Sequence, residues 1–438
     1  MAFALLLVGC ARKSNPYYCA GANPDNNCTE DAAGGGHFCT SNAQCSAPTS
    51  ICELPSNTCV QCTVAQASAC SGARPVCGAG GSCRGCTSHA ECLGSNTCLP
   101  DGSCANSDDV AFIAPWPEGA DNPACSMATP CTKVANALAT GRRYLKFYGT
   151  MDEAVTIKDR DVILFVDLGA TLTRMSNGYI LIVDGASNVE IYDLAINGAS
   201  GNGTGIWLPP GGSQALTLTR VTMSKNNGTG GTITASGGTL TLSKSTLSEN
   251  NSTGGALTVS GGTLNLYQST VALNTGGGIS LTAASFDLEN NIVAQNGAPG
   301  TMYGGLLIRQ LGGGAHTIEF NTITQNSGGP DVTTGVLCQL IAQPISFGNN
   351  IVYGNSGMQV SGQNCAWTYS DIGPDTVAGT TNMNVDPLFD PDQGNFRITG
   401  SSMVINQADP DATLAVDIDG DARPQGGRRD IGADESIP

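Results

Sequence analysis

The chain predicts an all-β solenoid: short-stranded coils stacked into a shaft, led by a helical cap and preceded by a small disulfide-rich region. Three observations carry this. From about residue 189 one pattern recurs with a period of 22–30 residues. Within each period, apolar residues alternate with polar ones at the two-residue period of a strand. Ahead of the repeat lies a block dense in cysteine, in three units of four.

The segments of the repeat align on 189–196, 216–226, 240–250, 264–274, 286–296, 316–326 and 345–355. The last six each close on Asn at the eleventh place, and those Asn are spaced by 24, 24, 22, 30 and 29 residues. Third places are apolar: Ile191, Leu218, Leu242, Leu266, Leu288, Ile318 and Phe347. So are eighth places: Ile196, Met223, Leu247, Val271, Val293, Ile323 and Val352. A Gly-rich turn and another short strand follow each closing Asn. One period thus holds three strands and three turns and winds once around a coil. Stacked coils rise about 4.8 Å each, so third and eighth places form apolar columns inside. Asn296, Asn326 and Asn355, like Asn291, Asn321 and Asn350, fall at turns of successive coils and can form amide ladders. An antiparallel β-sandwich is the alternative, but it lacks this columnar identity. The pattern resembles the right-handed parallel β-helix of pectate-lyase-like proteins. That resemblance covers about 106–365 and implies the fold, not a reaction.

A solenoid needs caps. Residues 132–140 carry Val134, Ala135 and Leu138 at helical spacing, with Gly141 as the stop. This helix should cover the open first coil. Cys125 and Cys131 flank the entry and should bridge; Cys338 and Cys365 should bridge late coils. The tail, 366–438, reads as a C-terminal cap. It holds Asn384-Val-Asp-Pro-Leu-Phe389, Gly394-Asn-Phe-Arg-Ile-Thr and Asp430-Ile-Gly-Ala-Asp-Glu435. These resemble the closing region of the bacterial surface proteins called the choice-of-anchor Q family. In that family a sorting tail usually follows. Here the N-terminal lipid would anchor instead.

The chain has 438 residues and 19 Cys. Residues 1–9 read as a signal peptide. Leu7-Val8-Gly9-Cys10 resembles the lipobox of bacterial lipoproteins, which implies a diacylated Cys10, cleavage before it and firm membrane anchoring. Ala11 favours the outer membrane. No basic residue precedes the short apolar stretch, which points to a start further upstream; an ordinary secretory segment is the alternative. Residues 10–38 form the lipidated N-terminus and linker. Residues 39–105 hold the repeated units Cys39-Cys45-Cys52-Cys59, Cys62-Cys70-Cys77-Cys83 and Cys86-Cys92-Cys98-Cys104. Units this small need covalent staples. Four Cys allow three pairings, which the sequence leaves open; zinc at the CxxC pairs is the rival reading.

A net charge of -17 repels phosphate backbones and excludes nucleic acid as a partner, leaving cations and neutral polymers. No cofactor is firmly indicated. Calcium is the one candidate: between 371 and 438 there are 13 acidic and 4 basic residues, and Asp417, Asp419 and Asp421 alternate around Gly420. A solvated acidic turn, or a network with Arg423, Arg428 and Arg429, competes with it. Asp287 and Glu289 are outward places of one coil, and Glu319 stacks over Glu289. Carboxylates that close repel, one pKa should rise, and the pair could serve sugar hydrolysis as acid and base. Polygalacturonases use surface carboxylates of this fold, but their surrounding motifs are absent. A lyase would need a base near Ca²⁺, and Arg309 is the only cation close by in sequence. His316 stands in an apolar column and reads as a satisfied edge residue. Outward Thr217, Thr219, Thr241 and Ser243, with Tyr192, Tyr267 and Trp207, suit weak, repeated contact with a glycan. The sequence therefore predicts an exported, lipid-anchored, monomeric surface protein of the cell exterior or outer membrane. Its expected role is adhesion or polysaccharide binding without turnover; the alternative is a polysaccharide lyase or glycoside hydrolase using Asp287, Glu289 and Glu319.

Overall fold

The computed structural model describes residues 39–437 except 168, 199–202, 375–378 and 392–394. The expected signal peptide, the lipidation expected at Cys10 and the linker expected to residue 38 all fall outside the described residues. The chain divides into two units, 1–107 and 108–438.

In the first unit the pairing is the same three times. The first Cys bonds the third and the second bonds the fourth: Cys39–Cys52 and Cys45–Cys59, Cys62–Cys77 and Cys70–Cys83, Cys86–Cys98 and Cys92–Cys104. All the thiols of these units are therefore spent, and zinc is excluded from them. The third and fourth Cys face each other across a hairpin, as Cys52 does Cys59 between strands Ile51–Glu53 and Thr58–Val60. A short 3-10 turn precedes the second Cys in every module, as Asn42–Gln44 does Cys45. A polar side chain then ties each hairpin down: Asn42 Oδ1, Gln61 Oε1 and His89 Nδ1 accept from the N–H of Cys52, Cys83 and Cys98. A loop closed by about 15 residues contributes about 3 kcal/mol per bridge, which replaces the core these modules are too small to build.

The second unit is a right-handed parallel β-helix. Each coil supplies one strand to each of three parallel faces, here sheets A, B and C. Sheet B stacks ten strands from Thr150–Asp152 to Asp371–Gly373. Sheet A runs from Val110–Ile113 to Cys365–Thr368, and sheet C from Val155–Lys158 to Met358–Ser361. The register is the expected one. Leu218, Leu242, Leu266, Leu288 and Ile318 are successive partners, as are Met223, Leu247, Val271, Val293, Ile323 and Val352. All are buried.

The corners explain why Asn recurs. Arg220, Lys244, Gln268, Asn290 and Phe320 turn the chain from sheet A to B with positive φ, and Lys225, Glu249, Leu273, Gln295 and Gln325 turn it again after B. Left-handed backbone costs a non-glycine residue roughly 1–2 kcal/mol. The next residue offsets it. Asn226, Asn250, Asn274, Asn296, Asn326 and Asn355 each donate from Nδ2 to the amide oxygen above, at 2.8–3.0 Å, and Gln359 ends the line. Each oxygen also accepts the backbone N–H of the Asn below. A second ladder runs Asn291, Asn321, Asn350, extended by Ser245 and Ser269 on one side and Ser370 on the other.

The N-terminal cap is the helix Val134–Ala139. Val134 and Ala137 are buried, Leu138 is half-buried and Ala135 is exposed, so the buried face is set by Ala137 and not by Ala135 as expected. Glu153 accepts the N–H groups of Val134 and Ala135, closing the helix start. Cys125–Cys131 and Cys338–Cys365 are both bridged.

The C-terminal region departs from a simple end cap. The solenoid runs past 365, through Cys365–Thr368 and Asp371–Gly373, and Met383 pairs with Asp371 as a last partial coil. The chain then turns back along the outer side of sheet B. Ile398, Val404, Ala408 and Ile431 pack on Phe320 and Ile351; Ile418 and Ala433 pack on Ile292 and Ala294. Gln268 and Asn290 donate to the carbonyls of Asp417 and Val416, at 2.6 and 2.7 Å. The outward places of sheet B here include Ile292, Ala294 and Ile351, which require this cover.

Asn274→Ala should be costly. It leaves the Asn296 oxygen and the Leu247 and Ala272 carbonyls short of a donor and the Asn250 amide and backbone N–H short of an acceptor, all in the interior. A loss of about 2–4 kcal/mol is expected, read as a lower denaturant midpoint; Thr241→Val, on the outward face, should leave the midpoint within about 0.5 kcal/mol of its starting value.

Candidate functional site

Strand Ile279–Glu289 bends from sheet C into sheet A and places Asp287 and Glu289 on the outer face. Register sets Glu289 directly between Tyr267 below and Glu319 above. The Tyr267 hydroxyl donates to Asp287 Oδ2 at 2.8 Å. Burial pushes Glu289 up to about 7, with Asp287 and Glu319 adding to the rise. Glu319 rises too, through burial first and then through Asp287 and Asp409 of the returning C-terminal segment. Tyr267 is raised by burial and by Asp287. The structure thus brings the three expected carboxylates together. Arg309 does not join them: it stands on sheet C and donates to Gln339 Oε1 at 2.9 and 3.1 Å.

The three aromatic residues singled out in the sequence do not share a platform. Tyr192 donates to Glu190 and its ring stacks on Phe165 at 5.5 Å, with Arg220 on it at 5.9 Å. Tyr267 serves Asp287. Trp207 lies on sheet C and stacks on Tyr179 at 5.1 Å. The outward hydroxyls do line up: Thr217 over Thr241 then Asn265, Thr219 over Ser243, and Thr222, Thr246 and Thr270 on sheet B.

The acidic tail suits an arginine better than calcium. Carboxylate oxygens of Asp417, Asp419 and Asp434 lie within 4.8 Å of one another; Asp421 is outside this group. Asp417 Oδ1 accepts the N–H of Asp419, Gly420 and Asp421, and Oδ2 that of Glu435. Arg397 donates to both oxygens of Asp419 at 2.6 Å and lies 3.6 Å from Asp434. Burial raises Asp434 to about 6 despite the Ile398 N–H and Arg397. A guanidinium therefore already fills the cation's place, and the donor set does not fit Ca²⁺. Arg423, expected in this network, instead pairs with Glu435 at 3.2 Å and covers the Phe320 ring at 4.8 Å. Sequence reasoning missed Arg397 and Asp434 because their closeness is tertiary.

His316 also departs from expectation. It sits in the inward column over Phe286, ring centroids 4.9 Å apart, and burial lowers its pKa. Its Nε2 is buried and has no partner, so it is not a satisfied edge residue. It lines an open groove of about 610 Å³ with Gln310, Leu311, Leu340, Gln343 and Pro344. The sequence signal for this groove is the pair of long Asn spacings, 30 and 29 residues, against 22–24 before them.

Two outcomes follow. Chelator should leave the melting temperature unchanged, whereas Arg397→Ala should lower it by several degrees, read by calorimetry. Glu289 binds its proton more tightly folded than unfolded, so stability should fall as pH rises from about 4.5 to about 7 and level off above. Glu289→Gln should flatten that decline by about 1 kcal/mol, allowing for its half-exposed position, measured as denaturant midpoints at pH 5 and pH 8.

Residues 179–371 match the family described as the right handed beta helix region. Among solved structures, the crystal structure of pectate lyase Pel9A is similar at 16% identity with a TM-score of 0.40, over 74% of this chain and 96% of that one. No curated protein sequence matches.

Proposed function

We propose that the protein is an exported, lipid-anchored surface protein whose β-helix binds neutral polysaccharide without turning it over. The observation that carries the binding is the vertical register of outward hydroxyls, Thr217 over Thr241 and Thr219 over Ser243. It repeats one hydrogen-bonding pattern about every 4.8 Å, as a polymer of identical units requires. The eight bridges among the described residues support export, because such bonds persist in oxidising compartments. The charge of -17 favours neutral polymers over polyuronates.

The rival reading is hydrolysis by Glu289 with Asp287, favoured by the rise of Glu289 to about 7, which suits a general acid. Against it, the three carboxylates line no part of the groove, and Asp287 is already engaged by Tyr267.

Cosedimentation of the full chain with insoluble neutral glycans, with polygalacturonate as the charged control, tests the binding reading. Retention on a neutral glycan, reduced several-fold by Thr217→Val with Thr241→Val, is expected. Release of reducing ends, lost in Glu289→Gln, would establish the hydrolase instead.

A further inference from the structure

The 30- and 29-residue periods put their extra residues at corners, and one such corner opens the coil stack. On strand Leu306–Glu319 the register with the strand before it shifts between Ala284 and Phe286. Gly312 is forced by close approach there: a Cβ would lie 2.6 Å from the Ala284 carbonyl carbon and 2.7 Å from the Ser285 nitrogen. On the other side, this strand pairs with Ile345–Gly348 only at Glu319 and Gly348. Two coils that pair fully elsewhere have parted. The gap is the groove of about 610 Å³, within the size range of small-ligand sites.

Its lining has a definite chemistry. No Asp, Glu, Lys or Arg contributes to it, in a chain of net charge -17. Leu311, Leu340 and Pro344 give it aliphatic walls; Gln310 and Gln343 bring amide donors and acceptors. Leu340 is 73% exposed, an unusual position for so large an apolar side chain. His316 lines the groove, while its unpartnered Nε2 is turned into the interior over Phe286. We propose that this groove binds one or two uncharged sugar units of a neutral polysaccharide, Leu340 and Pro344 packing on the sugar's C–H face while Gln310 and Gln343 take its hydroxyls. This deepens the polysaccharide-binding reading and rests on it. A fatty chain would strand the polar groups, at roughly 1–3 kcal/mol each. A uronate would bring a charge the lining cannot neutralise.

Calorimetric titration of the full chain with neutral hexasaccharides of β-1,4-glucan, β-1,3-glucan, xylan and mannan tests this, with oligogalacturonate and a Leu-rich decapeptide alongside. Ala342, Gln343 and Pro344 are exposed, so substitution there should not disturb folding. At least one neutral sugar should bind; Gln343→Ala should weaken it roughly 10-fold, and Ala342→Trp, which fills the groove, should abolish it with the melt unchanged. Sugar binding retained by Ala342→Trp would overturn the groove while leaving glycan binding intact. Binding by no neutral sugar would overturn both readings. Tighter binding of the decapeptide or the oligogalacturonate than of any neutral sugar would overturn the ligand assigned here.

Discussion

Everything in the second unit depends on each coil lying in strict vertical register over the last. A strand slipped by one residue would turn its apolar side chains outward. The register is enforced less by the leucine columns, which tolerate exchange of similar side chains, than by the two amide ladders. An amide has one geometry in which it can donate to one neighbour and accept from another. From Asn250 to Asn355 every member does both, and Asn226 starts the line as a donor. The ladders also hold the positive-φ corners in place, so the strain at Lys225 or Gln325 and the order at Asn226 or Asn326 are two sides of one device.

The same register stacks whatever chemistry the outward places carry. Where they hold threonine, hydroxyls line up. Where they hold glutamate, like charges are forced together, and Glu289, raised first by burial and then by Asp287 and Glu319, holds a proton to about 7. The returning C-terminal segment sharpens this by bringing Asp409 toward Glu319. That segment's own carboxylates are managed differently. Asp417 is wrapped by four backbone N–H groups, Asp419 is clasped by Arg397, and Glu435 is paired with Arg423. The strongly acidic tail is thus largely a structural clamp on sheet B.

The sequence discloses what repeats and hides what does not. The columns through Leu218 and Met223, the ladders through Asn296 and Asn321, and the stacking of Glu289 on Glu319 were all legible, because a solenoid converts spacing into contact. The bridges Cys125–Cys131 and Cys338–Cys365 followed from there being few other partners. The pairing inside the Cys modules was not legible, since nothing in spacing separates three possible connectivities. Nor was the lateral path of the C-terminal segment, which no period governs. Its contacts, Gln268 with Asp417 and Asn290 with Val416, join residues far apart in the chain. Tyr192, Tyr267 and Trp207 misled for a related reason: an outward place fixes a direction, but the partner on the next coil decides whether the ring is free.

A scaffold locked this tightly has little freedom except at its corners. Core columns accept only exchanges of similar side chains, and outward columns change only one side chain at a time. Extra residues at a turn carry no such penalty: a doubled loop costs only about 0.6 kcal/mol more to close. The two long periods use that freedom. Their added corner residues pry apart strands Leu306–Glu319 and Ile345–Gly348, leaving Glu319 and Gly348 as the single pairing, and expose an uncharged groove beside an otherwise acidic shaft. Repeated hydroxyls can supply many contacts of roughly 0.5–1.5 kcal/mol each, enough for adherence to a polymer but poor at telling one sugar from another. Discrimination needs enclosed polar groups that go unpaired when the wrong ligand binds. The groove lined by Gln310 and Gln343 places side-chain amides of this kind against aliphatic walls, with an opening to the outside.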